Sequence, residues 1–165
     1  STTAADNSVA CGTIGIDIGN PAQAQFAVTG MLPNDTIQRP LTLTRDADSE
    51  EFGKVTLAVT ATDSPLLTDA HGLVLSVDAC STAWTVNADK SMTCAAPTNL
   101  LTQTGVRTGA APVDLAEVVE DLNATDNAYL RVMLSLPGVA GNNLQGQNTT
   151  VDFAFTAYQR TGQHL

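Results

Sequence analysis

The stretch "NNLQGQNTTVDFAFTAYQRTG", residues 142–162, contains the clearest strand pattern in the chain. Val151, Phe153 and Phe155 alternate with polar or small residues, and a polar loop rich in Asn, Gln and Gly precedes them. Such alternation places the apolar side chains on one face of a strand, as in a sheet with one buried face. The sequence therefore predicts that its last strand closes a β core.

Similar patterns recur along the chain and predict further strands, for a total of seven or eight. They are GTIGIDIG (12–19), AQFAVTG (24–30), RPLTLT (39–44), FGKVTLAVTAT (52–62), GLVLSVDAC (72–80) and NAYLRVMLSLP (127–137). Pro40, near the start of its predicted strand, favours an edge or an entry position because proline cannot donate to a ladder. Residues 81–111 show no clear period, and we expect irregular structure there.

One segment has a helical rather than an alternating pattern. In "APVDLAEVVEDLN", residues 111–123, the apolar residues recur at spacings that approximate one face of a helix. Pro112 suits the first turn, and the acidic residues complement the positive end of the helix dipole.

These elements together predict a fold that is mainly β: a jelly-roll-like antiparallel β-sandwich with one short helix inserted before the last two strands. At 165 residues the chain is expected to form one domain with an insertion. We expect residues 11–165 to form the sandwich, with a helical and cysteine-containing insertion at about 80–125.

The composition narrows the range of partners. Seventeen Asp and Glu against seven Lys and Arg give a net charge of −10. Nucleic acid would be repelled, and so would an anionic membrane surface. No apolar run approaches the roughly 18 residues of a membrane span, so no membrane insertion is expected.

The chain starts at Ser1 without an initiator Met, which fits removal of a signal peptide, although trimming would give the same start. A Thr-, Asn- and Gln-rich, Lys-poor composition agrees with that interpretation. We expect a secreted protein, located outside the cell or on its surface.

The expected secretion also bears on how the three cysteines are interpreted. Cys80 and Cys94 flank thirteen residues and could form a disulfide in an oxidising compartment, worth roughly 3 kcal/mol. Cys11 is then unpaired: it is either a small buried residue or a bridge to another copy.

The search for a catalytic or metal site gives weak candidates. The two histidines, His71 and His164, lie outside any zinc-protease or nucleophile-elbow motif, so no catalytic residue and no cofactor is predicted. Asp46, Asp48 and Glu50 lie in an acidic loop that could surround Ca²⁺, but the spacing and bend glycine of an EF-hand are missing, and a solvated loop is favoured.

Asn34, Asn123 and Asn148 each begin an N-x-Thr sequon that glycosylation could use in a secreted protein.

Three motifs, taken in order, resemble the TasA/camelysin family of secreted biofilm-matrix fibre proteins. The residues that carry the resemblance are Gly12, Thr13, Ile14 and Ile16; then Leu32, Pro33 and Asp35, with Asn34 where the family usually has Gly; then Asn142, Gln145, Gly146, Phe153, Phe155, Ala157 and Gln159. They cover both ends of the chain, about 70 of its 165 residues.

The resemblance implies a sandwich that polymerises outside the cell, with the N-terminal segment of one subunit inserted as a strand into the next. Residues 1–10 would then be an extended donor segment that reaches roughly 33 Å. The donor strand consists of Thr2, Thr3, Ala4, Ala5, Asp6, Asn7, Ser8 and Val9. The partners would be further copies in a heterologous filament, together with accessory matrix proteins.

Two other functions stay open from the sequence. One is a secreted monomeric binding module whose loops hold Ca²⁺ or another ligand. The other is a secreted protease, because some camelysin-like members are described as metal-dependent proteases, but the zinc motif is missing and no residue here can be assigned to that role.

Overall fold

The structure, a computed structural model, describes residues 12–104 and 111–162. Half of the described residues are in strands and 12% are helical, so the fold is mainly β as predicted. The elements of the first half, in chain order, are β1 (Gly12–Gly15), β2 (Ala22–Val28), β3 (Thr36–Thr44), β4 (Phe52–Ala61), α1 (Pro65–Thr68) and β5 (Val74–Cys80). Those of the second half are β6 (Thr85–Val86), β7 (Met92–Thr93), β8 (Thr98–Thr104), β9 (Val113–Asp114), α2 (Ala116–Thr125), β10 (Asn127–Ser135), a 3₁₀ turn (Asn142–Leu144) and β11 (Thr149–Gln159).

The strands form two main sheets and one small hairpin. Sheet 1 has the order β1-β3-β10-β5-β8, sheet 2 has the order β2-β11-β4-β9, and β6 pairs with β7. Among the described residues, the pairings between these strands are antiparallel except that of β1 with β3, which is parallel. Between β1 and β2 the chain crosses from sheet 1 to sheet 2, where Ile18 forms a bridge with Ala157 of β11.

The core lies between the two sheets and is built by strict alternation. In β11 the buried residues are Val151, Phe153, Phe155 and Ala157, and their neighbours point outward. Alternate residues of β10 are buried in the same cluster. Phe26 of β2 packs edge-on against Phe153, with ring centroids 5.5 Å apart. Two sheets that bury facing apolar surfaces in this way form a β-sandwich.

The predicted fold class is therefore confirmed at the level of an antiparallel β-sandwich with a helix before the last two strands. The finer jelly-roll topology stays a prediction. A second helix, the single turn α1, was not predicted; Ser64 caps it by accepting a hydrogen bond from the backbone N–H of Leu66, and Pro65 begins it.

Two local predictions were wrong. Residues 98–104, expected to be irregular, form the seven-residue strand β8. The helix begins at Ala116 rather than at Pro112, because Val113 and Asp114 pair with Leu57 and Thr56 as β9 before the helix starts.

Pro40 lies in the middle of β3 rather than near its start, but β3 has no described neighbour on the β1 side at this position, which agrees with the predicted edge. The residue after it, Leu41, is where the pairing with β1 begins.

Candidate functional site

The two sheets end in strands of different regularity, and this difference decides where another strand could be added. Within residues 12–104 and 111–162, no strand pairs with the outer edge of β2 or with that of β8. The pairing of β8 with β5 shifts register between Val77 and Asp78. β2 runs for seven residues in unbroken register along β11, from Ala22 opposite Phe155 to Val28 opposite Thr149.

The outer edge of β2 also lacks the usual devices that stop strand addition. Native edges are commonly guarded by proline, by lysine, by a bulge or by an inward-pointing charge. The sequence of β2, AQAQFAV, contains none of these. Its inward side chains are buried and its outward residues are Gln23, Gln25 and Ala27, so an added strand would meet a ladder of unbroken register.

The segment that connects the two sheets leads from β1 into β2. β1 covers only the last four of the nine residues of β3, from Leu41 to Thr44. After β1, the backbone N–H of Ile16 donates to Thr44 O (2.9 Å), and the chain then crosses toward β11. The residues before Gly12 include the predicted donor strand, Thr2–Val9, and Cys11; all of them lie outside the described residues.

The second family-like motif forms a tight turn at one end of the sandwich. The carboxylate of Asp35 accepts from the backbone N–H of Leu32 (2.8 Å), and the N–H of Asn34 donates to Leu136 O (2.8 Å). Asn34 has a φ of 75°, a left-handed conformation that favours Gly or Asn. Asn is among the few non-glycine residues that adopt this conformation readily.

The third motif forms a loop at the same end. The loop before β11 contains the 3₁₀ turn, in which Gln145 Nε2 donates to Asn142 Oδ1 (3.3 Å). Asn143 reaches the loop after α1, where it donates to the carboxylate of Asp69 (3.2 Å). The motif residues Phe153, Phe155 and Ala157 belong to the core, so this part of the resemblance describes packing rather than a binding site.

Asp46, Asp48 and Glu50 do not converge into a metal site. Asp46 Oδ1 accepts from the backbone N–H of Asp48 (2.9 Å), and the carboxylate of Glu50 accepts from Gln159 instead of turning toward the other two. In the part of the chain that the structure describes, no group of three or more His, Cys, Asp or Glu is positioned to hold a metal ion.

His71 lies in the turn after α1, where its backbone N–H donates to Asp69 Oδ1 (2.8 Å). This hydrogen bond, followed by the one from Asn143, holds the pKa of the Asp69 carboxyl below its usual value. His71 therefore stays a turn residue. His164 lies outside the described residues.

Cys80 and Cys94 form a disulfide, with Cα atoms 6.1 Å apart. The loop that they close lies against the outer face of sheet 1. The indole Nε1 of Trp84 donates to Tyr129 O (3.0 Å), and the guanidinium of Arg131 lies 4.7 Å from the centre of the Trp84 ring. Trp84 and Met92 are buried together with Cys80 in a small cluster separate from the main core.

Arg131 fastens this loop to the sheet. Its Nη2 donates to Asp78 Oδ2 (2.6 Å) and its Nη1 contacts Met92 O (3.4 Å). Asp78 is 7% exposed and also accepts from Asn99 Nδ2 (3.0 Å) and from Ser76 Oγ (3.3 Å), so the carboxylate that would otherwise be buried alone has three partners. The disulfide loop therefore covers the part of the outer face of sheet 1 around Tyr129 and Arg131.

The sequons have different surroundings. Asn34 and Asn148 are exposed, whereas Asn123 is half-buried. Asn123 Nδ2 donates to Phe52 O and its Oδ1 accepts from Phe52 N–H, both at 2.9 Å. Its amide therefore pairs with the start of β4 as a strand residue would, and this use competes with attachment of a sugar at Nδ2. Glycosylation at the three sites stays a prediction.

No helix in the described ranges is long and apolar enough to span a membrane. A search of protein-family models found no match to this chain, and neither did a search of curated proteins.

Proposed function

We propose that the protein is a structural subunit of an extracellular filament, in which residues Thr2–Val9 of one copy add as a strand to the next copy. The observation that carries this proposal is the outer edge of β2, which is seven residues long, regular and unguarded. The family resemblance supplies the identity of the donor.

The donor and the edge match in length. The eight residues Thr2–Val9 can pair along the seven residues of β2. Ladder hydrogen bonds contribute about 1 kcal/mol each, so the backbone supplies most of the affinity. The donor side chains are small, and their contribution is correspondingly smaller.

Growth follows from the difference between the two surfaces. The donor lies at the N-terminus and the acceptor edge lies on sheet 2, so each bound copy still offers its own edge to another. A contact of this kind is heterologous, and it propagates into a filament when it does not close into a ring.

Electron microscopy of negatively stained protein tests the proposal. The full chain is expected to form filaments in a concentration-dependent way, and deletion of residues 2–9 is expected to abolish them. A matched control removes residues 163–165 from the other end and should leave filaments intact. Filaments that persist without residues 2–9 would contradict the proposed donor.

A peptide experiment tests the acceptor separately. A peptide of residues 1–10, added in excess to the full chain, should shorten or prevent filaments by occupying the edge. The same peptide with Ala5→Pro and Ser8→Pro loses two N–H donors and should have little effect. Equal inhibition by the two peptides would show that no ladder forms.

A monomeric binding module is the second candidate, and an open cleft lined by Glu50, Glu51, Gln159, Arg160 and Gly162 favours it. This cleft has polar groups that a cation or a polar ligand could contact. A melting temperature that falls on addition of a chelator, in protein that forms no filaments, would support this function over the filament.

A further inference from the structure

The first half of β3 is a further strand edge, and it lies where the chain enters the sandwich. β10 pairs with all nine residues of β3, whereas β1 pairs with it only from Leu41 onward. Within residues 12–104 and 111–162, no strand pairs with the β1 side of residues 36–40. Because β1 runs parallel to β3 and begins at Gly12, a backward extension of β1 would cover this edge with the N-terminal segment of the same copy.

The register of β1 shows which residues such an extension would use. Gly12 is opposite Leu41 in the parallel pair. Continued backward in the same register, the strand would place residues 7–11 opposite residues 36–40. Part of the proposed donor strand, Thr2–Val9, would then be paired within its own copy. A copy in that state could not donate this segment to a neighbour.

The hydrogen bonds of β3 show which backbone groups face the open side. The N–H of Ile16 donates to Thr44 O (2.9 Å), so Thr44 turns its backbone polar groups toward β1. Backbone groups alternate between the two sides of a strand, so the even-numbered residues of β3 all face the β1 side. Pro40 and Gln38 are two of them. Pro40 therefore occupies a position whose N–H would bind the extension.

Two features of β3 oppose that extension. Pro40 has no N–H to donate, and its ring occupies the place of the missing hydrogen. Arg39 Nη1 donates to Gln38 O (2.8 Å), so the next acceptor along the same side already has a partner. Proline and charged side chains are among the devices by which native edges resist strand addition. The edge of β2 contains neither.

The backbone at the start of β1 supplies a third and independent observation. Gly12 has a φ of 125°, whereas residues of parallel strands have a φ of about −120°. Glycine adopts such a positive φ without the steric cost that other residues would meet. The chain therefore changes direction at the residue where its pairing with β3 begins.

We propose that Pro40 and Arg39 form a guard that prevents the N-terminal segment of each copy from pairing with its own β3. The guard thereby directs this segment to the unguarded edge of β2 on the next copy. This second step rests on the proposed filament function. The guard itself does not, because it concerns pairing within one copy.

Hydrogen exchange on the full chain tests the guard. The variant Arg39→Thr/Pro40→Thr restores the missing N–H and releases Gln38 O. The amides of Ser8, Ala10 and Gln38 should then exchange about tenfold or more slowly than in the wild type, because they become ladder donors. Val9, whose N–H would face away from β3, should change less. Exchange is followed by NMR under conditions in which microscopy shows no filaments.

Two controls separate pairing from other effects. Arg39→Thr alone makes the same change in net charge but keeps the proline, so it should slow exchange much less. Deletion of residues 2–9 from the double variant should remove the added protection of Gln38, because its partner is lost. If the double variant does not fold, Pro40→Thr alone is expected to slow the same amides to a smaller extent.

Filament formation tests the consequence for assembly. The double variant should require about tenfold or more protein than Arg39→Thr before filaments appear, because few of its N-terminal segments stay available. A wild type that forms no filaments would refute strand donation, and hydrogen exchange would still test the guard.

The guard is overturned if Ser8 and Ala10 exchange equally fast in the wild type and in folded variants without Pro40. It is also overturned if the wild type already protects these amides in the absence of filaments. Its role in assembly is overturned if a double variant with slowed exchange forms filaments as readily as Arg39→Thr does.

Discussion

Arg45 joins three parts of the sandwich through one side chain that is 8% exposed. Its Nη2 pairs with Asp126 (3.0 Å), its Nε donates to Leu122 O (3.1 Å) at the end of α2, and its Nη1 donates to Ser49 O (2.7 Å) in the acidic loop. A cation at the C-terminal end of a helix is stabilised by the helix dipole. Arg45 therefore stabilises the acidic loop, whose negative charges repel one another.

On the acidic face of α2, one residue, Asp121, is expected to make the stability of the fold depend on pH. Burial raises the pKa of Asp121, and the charges of Glu117 and Glu120 raise it further. The folded state then binds its proton more tightly than the unfolded chain does, so this group's contribution to stability falls as pH rises from the ordinary carboxyl pKa, about 4, through the raised value.

Asp121→Asn should remove that penalty. We expect the variant to be more stable than the wild type at pH 7, by an amount within the roughly 0.5 kcal/mol typical of surface substitutions, and to lose its advantage below about pH 4. Urea denaturation at several pH values measures the difference, with Asp63→Asn as the exposed control. A variant that is less stable at pH 7 would show that the carboxylate has a stabilising partner.

The contacts of individual side chains were what the sequence predicted least well. No sequence motif predicts the contacts of Arg45 or Asn123. Arg45 is hydrogen-bonded to Leu122 and Asn123 to Phe52, each about 70 to 80 positions away in the chain. Only the fold brings these partners together. The Asp46, Asp48 and Glu50 candidates did not converge: Asp46 binds a local backbone N–H and Glu50 binds Gln159.

At the scale of elements, the disulfide loop is a unit built on the sandwich. Its buried cluster, around Trp84 and Met92, is separate from the main core. The loop is attached at its base by Cys80–Cys94 and along its length by Arg131. Loss of the Cys80–Cys94 disulfide should therefore loosen the loop without unfolding the sheets.

The variant Cys80→Ala/Cys94→Ala tests this separation. We expect a loss of roughly 3 kcal/mol in the free energy of unfolding, from the closed loop of thirteen residues, with an unchanged far-ultraviolet spectrum. Trp84 is the only tryptophan, so its fluorescence should shift to longer wavelength if the loop loosens. A reductant should destabilise the wild type and leave the variant unaffected; a wild type that resists full reduction without loss of stability would contradict the expectation.

Element prediction succeeded where alternation was clean and failed where it was not. β4, β10 and β11 were predicted because one face of each is buried by the core. β8 was missed because Leu100 and Leu101 are adjacent, and only Leu101 is fully buried in this edge strand. β9 is two residues long, and it displaced the predicted helix start because pairing with β4 outweighed the preference of Pro112 for a first turn.

At the scale of the whole molecule, the net charge of −10 would set the ionic conditions under which the proposed filament grows. Repulsion between copies is screened over about 10 Å at 0.1 M salt and over about 30 Å at 0.01 M. Filament growth should therefore be faster at about 0.1 M NaCl than at about 0.01 M, because the ladder contacts between copies are short-range.

An experiment with calcium distinguishes general charge screening from binding at a specific calcium site. At matched ionic strength, CaCl₂ should promote growth no more than NaCl if general screening is responsible. Light scattering measures the growth rates, and microscopy confirms that the particles are filaments. A large calcium excess that depends on Glu50 would favour the binding-module alternative.

The sandwich itself could be predicted, since many strands with one apolar face have few other ways to bury it. The strand order could not, because alternation identifies the buried face of β3 or β10 but not its neighbours. The parallel pairing of β1 and the passage of the chain between the sheets near Ile18 depend on tertiary contacts that no local pattern encodes.

The amide of Asn123 makes the two margins of sheet 2 unequal. On one margin, β4 is occupied by Asn123 at Phe52 and by β9 at Thr56 and Leu57. On the opposite margin, the described neighbours leave β2 open along its length. A polymer that extends this sheet would consequently have a direction, and its two ends would be chemically distinct. Helix α2 would prevent a strand of another copy from pairing on the β4 side of the sheet.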